Sequence, residues 1–377
     1  MRNYDVAVVG LGAMGSAALY ALAQRGHRVI GIDRFEPGHH LGSSYGESRI
    51  IRMAYYEDPV YVPLLRLAYE AWERLERHTG EYILTITGIL EAGIEGSALV
   101  EGSLRSALQH DIPHERLLHG EVNKRFPAFS IPPDWHCVFQ PDAGILQPEK
   151  AINLFVKSAS ELGATVALRT RVAGVVPVGE HVEVHLESGE IIEAGSAVLA
   201  VGPWIQELVP ELGNKMRLTR QPLMWFEPLM PQFVRPPSMP VFFLDTPDDL
   251  IYGFPDFRGS GVKAASHLSG GELTTADEIR AEVSDEEEAH LTRMMGRFIP
   301  AAAGRVRQTH VCIYTRSTDE HFVLGLHPSA SQIVLASPCS GHGFKFASVF
   351  GEILADLAMT RVTDKPIDFF RPNRLIG

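Results

Sequence analysis

Tyr4-Asp-Val-Ala-Val-Val-Gly-Leu-Gly-Ala-Met-Gly-Ser-Ala17 stands at the start of the chain, and Val29-Ile-Gly-Ile-Asp33 completes its pattern. The apolar run over 6–9 has the length and β-branched content of a buried parallel strand. Gly10, Gly12 and Gly15 follow at G-x-G-x-x-G spacing, and the Ala/Leu-rich segment to Arg25 reads as a helix. A second apolar run, Arg28 to Ile32, ends on Asp33. In this arrangement Gly10 allows a tight turn, Gly12 lets backbone approach a pyrophosphate, and Gly15 lets helix and strand pack closely. The helix N-terminus presents unpaired N–H groups to the phosphates. Asp33 is placed to accept hydrogen bonds from a ribose. The stretch therefore predicts a dinucleotide site and leaves open whether the ligand is NAD or FAD.

At 377 residues the chain is long for one core, so two domains or a composite fold are expected. A net charge of −12 argues against nucleic acid or an anionic membrane as the main partner. Cys137, Cys312 and Cys339 form no C-x-x-C pair, which suits a reducing compartment. No signal-peptide pattern is visible, and no apolar run reaches the roughly eighteen residues of a spanning helix. The expectation is a soluble cytoplasmic protein.

Periodicity organises the rest. After Asp33 a Gly/Ser-rich loop runs over 37–52, long enough to be functional or disordered. Tyr61, Leu64, Ala68, Ala71 and Leu75 predict an amphipathic helix to about Thr79. Further helices are expected near 97–109, over 149–163, over 285–297 behind the capping box Ser284-Asp-Glu-Glu287, and over 346–359. The acidic run Asp285 to Glu288 reads as a first helical turn rather than a metal site, and no metal is expected. Alternation at Val182, Val184 and Leu186 predicts a hairpin, followed by the apolar strand beginning at Ala197. Near the end, Ile333-Val-Leu-Ala-Ser337, the loop Pro338-Cys-Ser-Gly-His-Gly-Phe-Lys345 and the last helix form a second strand–Gly-loop–helix unit. An enzyme with one nicotinamide cofactor rarely needs such a unit. In a flavoprotein it places a helix N-terminus beside the isoalloxazine ring.

Six motifs together carry a family resemblance. They are the opening fingerprint, Gly42-Ser-Ser-Tyr-Gly-Glu-Ser-Arg-Ile-Ile-Arg52, Tyr252-Gly-Phe-Pro, Lys263…His267, Cys312-Ile-Tyr-Thr…Asp319-Glu-His-Phe, and Ser340-Gly-His-Gly-Phe-Lys345. The chain resembles the monomeric sarcosine oxidase / N-methyltryptophan oxidase family of D-amino-acid-oxidase-like flavoproteins. That resemblance implies an α/β (α+β) fold: a Rossmann-like FAD-binding domain over 1–84, 146–213 and 309–377, and a substrate-binding domain on a mainly antiparallel sheet over 85–145 and 214–308.

It also implies FAD joined through Cys312, while Cys137 and Cys339 read as ordinary buried thiols. Ser43, Ser44, Gly341, Gly343 and Lys345 are implied as further cofactor contacts. Arg52 and Lys345 match the pair that holds a substrate carboxylate, Lys263 a lysine near flavin N5 that promotes reaction with O₂, Arg49 a basic residue under the ring, and Tyr252 and His267 pocket residues. Tyr45 stands where a close relative carries a histidine. The segment Leu218 to Phe226, with Met224 and Trp225, is expected to line the pocket.

The activity implied is oxidation of a secondary, sarcosine-like N-methyl amino acid, with hydride passing to flavin N5, imine hydrolysis and H₂O₂ release. The partners are then a small amino acid and O₂, and the family name suggests a monomer. A pipecolate, proline, D-amino acid or fructosyl amino acid oxidase on the same fold, or a nicotinamide-dependent dehydrogenase, stays open at this point.

Overall fold

The strand Tyr4–Val9, its last four side chains buried, occupies the middle of a parallel stack in the computed structural model, which describes residues 4–267, 270–278 and 282–376. The stack runs Thr165–Ala167, Val29–Ile32, Tyr4–Val9, Ile191–Leu199, Ala330–Ser337, each strand parallel to the next. The predicted hairpin, Val172–Val178 with His181–Leu186, adds antiparallel to the first half of Ile191–Leu199. Val323–His327 closes the other edge.

The helix Ala13–Gln24 has no polar face because it needs none: every residue from Ala13 to Ala23 is buried. It packs against the helices Pro148–Glu161 and Ala347–Thr360. At the second contact a Cβ on Gly351 would come within 2.6 Å of the Ala17 backbone, so glycine sets the approach. The amphipathic helix spans Val62–Thr79, buries Leu64, Leu65, Ala68, Trp72 and Leu75, and stops at Gly80 in a left-handed conformation. The helix Ala98–Gln109 and the helix Asp285–Phe298 fall where periodicity puts them. The Ser284 hydroxyl accepts from the Glu287 amide at 3.2 Å, and the Glu287 carboxylate accepts from the Ser284 amide at 2.8 Å, completing the capping box.

A second sheet of nine strands is mainly antiparallel. Met216–Phe226, Val262–Ser266, Leu250–Phe254 and Val241–Asp245 form its meander, and Ile89–Ile94 then joins in parallel. Along Met216–Phe226 lies Val306–Ser317, paired from Met216↔Ser317 to Phe226↔Val306. Arg49–Ile51, Gly144–Leu146 and Leu84–Ile86 make a small third sheet. An elongated cavity runs from the ends of the parallel strands, at Val9, Gly10 and Ile32, to the face of the second sheet at Leu223, Phe243 and Tyr252. Among the described residues no helix is long and apolar enough to cross a membrane, and no group of three or more His, Cys, Asp or Glu could hold a metal ion.

Candidate active site

At the glycine end the wall is backbone. Gly10 holds φ +89°, and a Cβ there would meet the Ala200 carbonyl oxygen at 2.6 Å. Gly12 faces the cavity, with room for its missing Cβ up to the Ser44 hydroxyl 3.8 Å away. Gly15 does not line the cavity: its absent Cβ would fall 1.7 Å from the Gly10 carbonyl oxygen, so it serves helix–strand packing alone. Asp33 lines the cavity, and its carboxylate already accepts the Leu11 and Phe35 amides at 2.6 and 2.8 Å. Burial nevertheless raises its pKa, because those bonds and the nearby His39 and Arg34 only partly offset the desolvation.

Beyond the turn, the loop over 43–48 is pinned by charges on both of its polar edges. Glu149, in the first turn of its helix, accepts the Gly46 and Glu47 amides at 2.6 and 2.9 Å. Arg49 donates to the Ser43 and Tyr45 carbonyls at 2.9 and 2.6 Å. Lys263 donates to the Gly46 and Ser48 carbonyls at 2.6 and 3.0 Å, and to the Ser48 hydroxyl at 3.1 Å. Lys263 therefore stands behind the loop and is not among the residues lining the cavity, and burial, reinforced by Arg49, pushes its ammonium pKa well down. The Ser43 hydroxyl is buried and, among the described residues, has no hydrogen-bond partner. Cys312 lines the cavity with Sγ 3.8 Å from Arg49 Nη2 and 3.6 Å from the Ser43 carbonyl oxygen. Tyr45 packs edge-on against His310, ring centroids 4.6 Å apart, and burial pushes that imidazole down to about 4.

The far end is built from side chains. Arg49, at the start of the strand Arg49–Ile51, and Arg52, just past its end, reach different partners, and Arg52, 2 % exposed, binds both oxygens of Glu57 at 2.9 and 2.8 Å. Its other terminal nitrogen meets the Ala54 carbonyl at 3.1 Å and Glu91 at 3.5 Å. Burial opposes the guanidinium charge, but Glu57 and Glu91 outweigh it and hold the charge firmly on. Glu91 is fully buried and braced by Gln140 at 2.7 Å, whereas Glu57 is 15 % exposed and lines the cavity.

Lys345, in the turn Phe344–Phe346, donates to the Tyr55 hydroxyl at 3.2 Å and to the His342 carbonyl at 2.7 Å. Burial, and after it Arg52, pushes its ammonium down to about 7. Both cations stand against the ring of Tyr55, the guanidinium carbon 4.5 Å and the ammonium 5.1 Å from its centroid. The Tyr55 hydroxyl lies 2.7 Å from His342 Nδ1, and burial together with Lys345 pushes His342 well down. The opposite wall is aromatic. Tyr314 donates to the Tyr252 hydroxyl at 3.2 Å, and Phe243 stacks on Tyr252 with centroids 5.6 Å apart. His267, packed against both tyrosines and Phe243, is driven down to about 3 by burial and then by Arg316, so the wall is neutral at neutral pH.

Gly10, Gly12, Asp33, Ser43, Ser44, Arg49, Arg52, Tyr252, His267, Cys312, Gly341, Gly343 and Lys345 thus converge on one cavity. Of the expected pocket segment only Leu223 reaches it. Trp225 packs beside Leu223 and Cys312 and donates to Glu47 at 3.0 Å, and Met224 packs into the core behind the sheet. Cys339 is not simply a core thiol, since it also lines the cavity, with its pKa raised to about 11 by burial. Glu57, Glu91, Tyr55, Phe243 and His342 belong to this candidate site by their contacts, and sequence reasoning did not single them out. The His342 signal was present, inside the glycine-rich loop already marked.

A family model described as FAD dependent oxidoreductase matches residues 5–357. The chain is 38 % identical to monomeric sarcosine oxidase of Streptomyces avermitilis, over 99 % of this chain and 98 % of that protein. It is 31 % identical to N-methyl-L-tryptophan oxidase of Yersinia pestis, over 97 % of each. Among solved structures, NikD, an unusual amino acid oxidase, superposes with a TM-score of 0.87 at 24 % identity, covering 99 % of this chain and 98 % of that one, which shows a common fold.

Proposed function

The chain belongs to the FAD-dependent oxidoreductase family, and from that premise we propose that it oxidises a small N-methyl amino acid with O₂ as the electron acceptor, releasing H₂O₂. Membership removes the nicotinamide-dependent alternative. The residues present fit the cofactor: a turn in which backbone closes the Cβ position of Gly10 while Gly12 lies open to the cavity, a buried Ser43 hydroxyl with no partner among the described residues, and Cys312 at the cavity wall. Gly10, Gly12, Asp33, Ser43 and Ser44 would hold the dinucleotide, Gly341 and Gly343 would border the ring, and Cys312 would attach it covalently. FAD supplies, when bound, a two-electron acceptor that O₂ regenerates.

The observation that carries the reading is the pair of buried cations, Arg52 and Lys345, flanking Tyr55 at the end of that cavity. A guanidinium is built to grip a carboxylate, and Arg52 already holds both oxygens of Glu57 through its Nη2. A substrate carboxylate takes the place of Glu57, the partner with access to the cavity, while Glu91 stays. Lys345 adds the second charge. Fixing the carboxylate at two points orients the N–C–H unit toward the reacting ring, which is catalysis by positioning. Tyr252, Tyr314 and neutral His267 surround the amine with apolar surface, favouring the uncharged amine that oxidation requires. Lys263, held behind Gly46 and Ser48, stabilises negative charge developing on O₂ in its protonated form, and Arg49 acts similarly from beside Cys312.

The sheet strands support the division proposed from sequence. Those of the parallel stack fall within 1–84, 146–213 and 309–377, and those of the second sheet within 85–145 and 214–308, except that Val306–Ser317 straddles the boundary. Three free cysteines support a cytoplasmic setting, and a monomer is the state named for the sarcosine oxidase relatives. Peroxide release from purified protein tests the reading, with N-methyl amino acids compared against pipecolate, proline, D-amino acids and fructosyl amino acids. Turnover confined to one of the latter groups would overturn the substrate class. An acid-precipitated pellet that stays yellow, and loses its colour in Cys312→Ala, tests the covalent link.

A further inference from the structure

Strand register places Leu223, Ala265, Tyr252, Phe243 and Glu91 in one row across the second sheet, each the paired neighbour of the next. The row begins at Leu223, which also pairs with His310, two positions before Cys312 on its strand. It reaches Glu91, beneath Arg52, before passing on to Val138. It therefore spans the floor of the cavity from the Cys312 side to the carboxylate end, and Phe243 is the side chain next to Glu91.

Phe243 does not behave as core. Its chain neighbours Phe242 and Leu244 are buried in the apolar cluster on the far face of the sheet, and Phe243 is absent from the apolar clusters of the described residues. Its ring is instead enclosed by the groups of the site. The centroid lies 5.9 Å from the Arg52 guanidinium carbon, 5.6 Å from Tyr252, 5.5 Å from His267 and 5.8 Å from Tyr56. The 6 % of its surface that remains exposed belongs to the cavity lining. The phenyl ring thus fills the space between the guanidinium and the aromatic wall.

An α-carbon is bonded directly to the carboxylate it carries. A substrate held by Arg52 with its amine toward Tyr252 and His267 must therefore lay its α-carbon against this ring. We propose that Phe243 sets the size limit at the substrate α-carbon, so that the site takes N-methylglycine and rejects N-methyl amino acids with a branched or aromatic side chain. The inference rests on the carboxylate-binding reading of Arg52 and narrows the substrate class within it.

The test is kcat/KM from peroxide release by the FAD-loaded protein with N-methylglycine, N-methyl-L-alanine and N-methyl-L-leucine, in wild type, Phe243→Ala and Phe243→Leu. Wild type should favour N-methylglycine over N-methyl-L-leucine by about 100-fold, the range that a few methylenes give in a closed pocket. Phe243→Ala should narrow the ratio by about tenfold or more, mainly through KM for the larger substrate, with Phe243→Leu between the two. If Phe243→Ala does not fold, the Leu variant alone decides the direction. Wild type that oxidises N-methyl-L-leucine as well as N-methylglycine overturns the proposal, and so does a variant that loses both activities with the ratio intact. Absence of turnover on all three substrates, with the flavin bound, would instead overturn the Arg52 reading and this one with it.

Discussion

At the dinucleotide end of the cavity the wall is backbone from residues 10–33, shaped by positions where only hydrogen fits, whereas at the amino acid end it is side chain, drawn from positions as far apart as Arg52 and Lys345. The first end is local and geometric. Its determinants include Gly10 and Gly15, whose replacement collides with carbonyl oxygens, so they cannot change without moving a helix against a strand. The second end is assembled and electrostatic. Its cations are stabilised by partners outside the reacting space, Glu91 for Arg52 and the Tyr55–His342 pair for Lys345. Losing a cation there leaves the glycine turn untouched. The two ends should therefore fail differently: the first by losing cofactor, the second by losing substrate.

The largest effect is expected at Gly15. Gly15→Val has to open the contact where a Cβ would lie 1.7 Å from the Gly10 oxygen, so the variant should retain no flavin after gel filtration. A yellow Gly15→Val protein would contradict the geometric account of this end. Next, Arg52→Ala should keep the flavin spectrum and lose about 100- to 1,000-fold in kcat/KM, the cost of removing one partner from a buried charge pair. Steady-state kinetics beside an absorption spectrum checks both halves of that statement.

Lys263 sharpens the contrast because it is a buried lysine paired with neither acid of the substrate end. Lys263→Met should leave anaerobic flavin reduction nearly unchanged and slow reoxidation by O₂ about 100-fold, as removal of an electrostatic stabiliser does. Normal reoxidation would reduce Lys263 to a clamp on Gly46 and Ser48. The smallest effect concerns protons. Lys345, with its pKa lowered to about 7, is charged below that pH and mostly neutral at pH 8. A carboxylate ligand favours the charged form, so binding at pH 8 should draw up to one proton from the buffer. Calorimetry in two buffers of different ionisation enthalpy measures that uptake, and Lys345→Met should abolish it.

Much of the fold could be read because its determinants are periodic. The helix Val62–Thr79 shows its buried stripe in sequence, and the opening strand and turn declare themselves by spacing. The three-stranded sheet could not be read, since strands of three residues such as Arg49–Ile51 and Gly144–Leu146 are shorter than any periodic signal. The site divided in the same way. Gly10, Gly12 and Asp33 followed from local spacing, but Arg52, Lys263, Cys312 and Lys345 were reached through resemblance. Glu57 and Glu91 were not singled out, because nothing in a sequence marks a carboxylate as the counter-ion of a distant guanidinium. Phe243 was hidden between Phe242 and Leu244, where an unbroken apolar run erases the alternation that would have shown it facing the site.

The central claim is that Arg52 and Lys345 recognise a carboxylate, and a pair of substrates differing only in that group tests it most directly. Flavin reduction by N-methylglycine and by N-methylglycinamide is to be compared in wild type and Arg52→Ala. Wild type should prefer the acid by about 100-fold or more, and Arg52→Ala should lose most of that preference while its rate with the amide stays near the wild-type value. An amide oxidised as well as the acid by wild type, or a preference that survives in Arg52→Ala, would contradict the account.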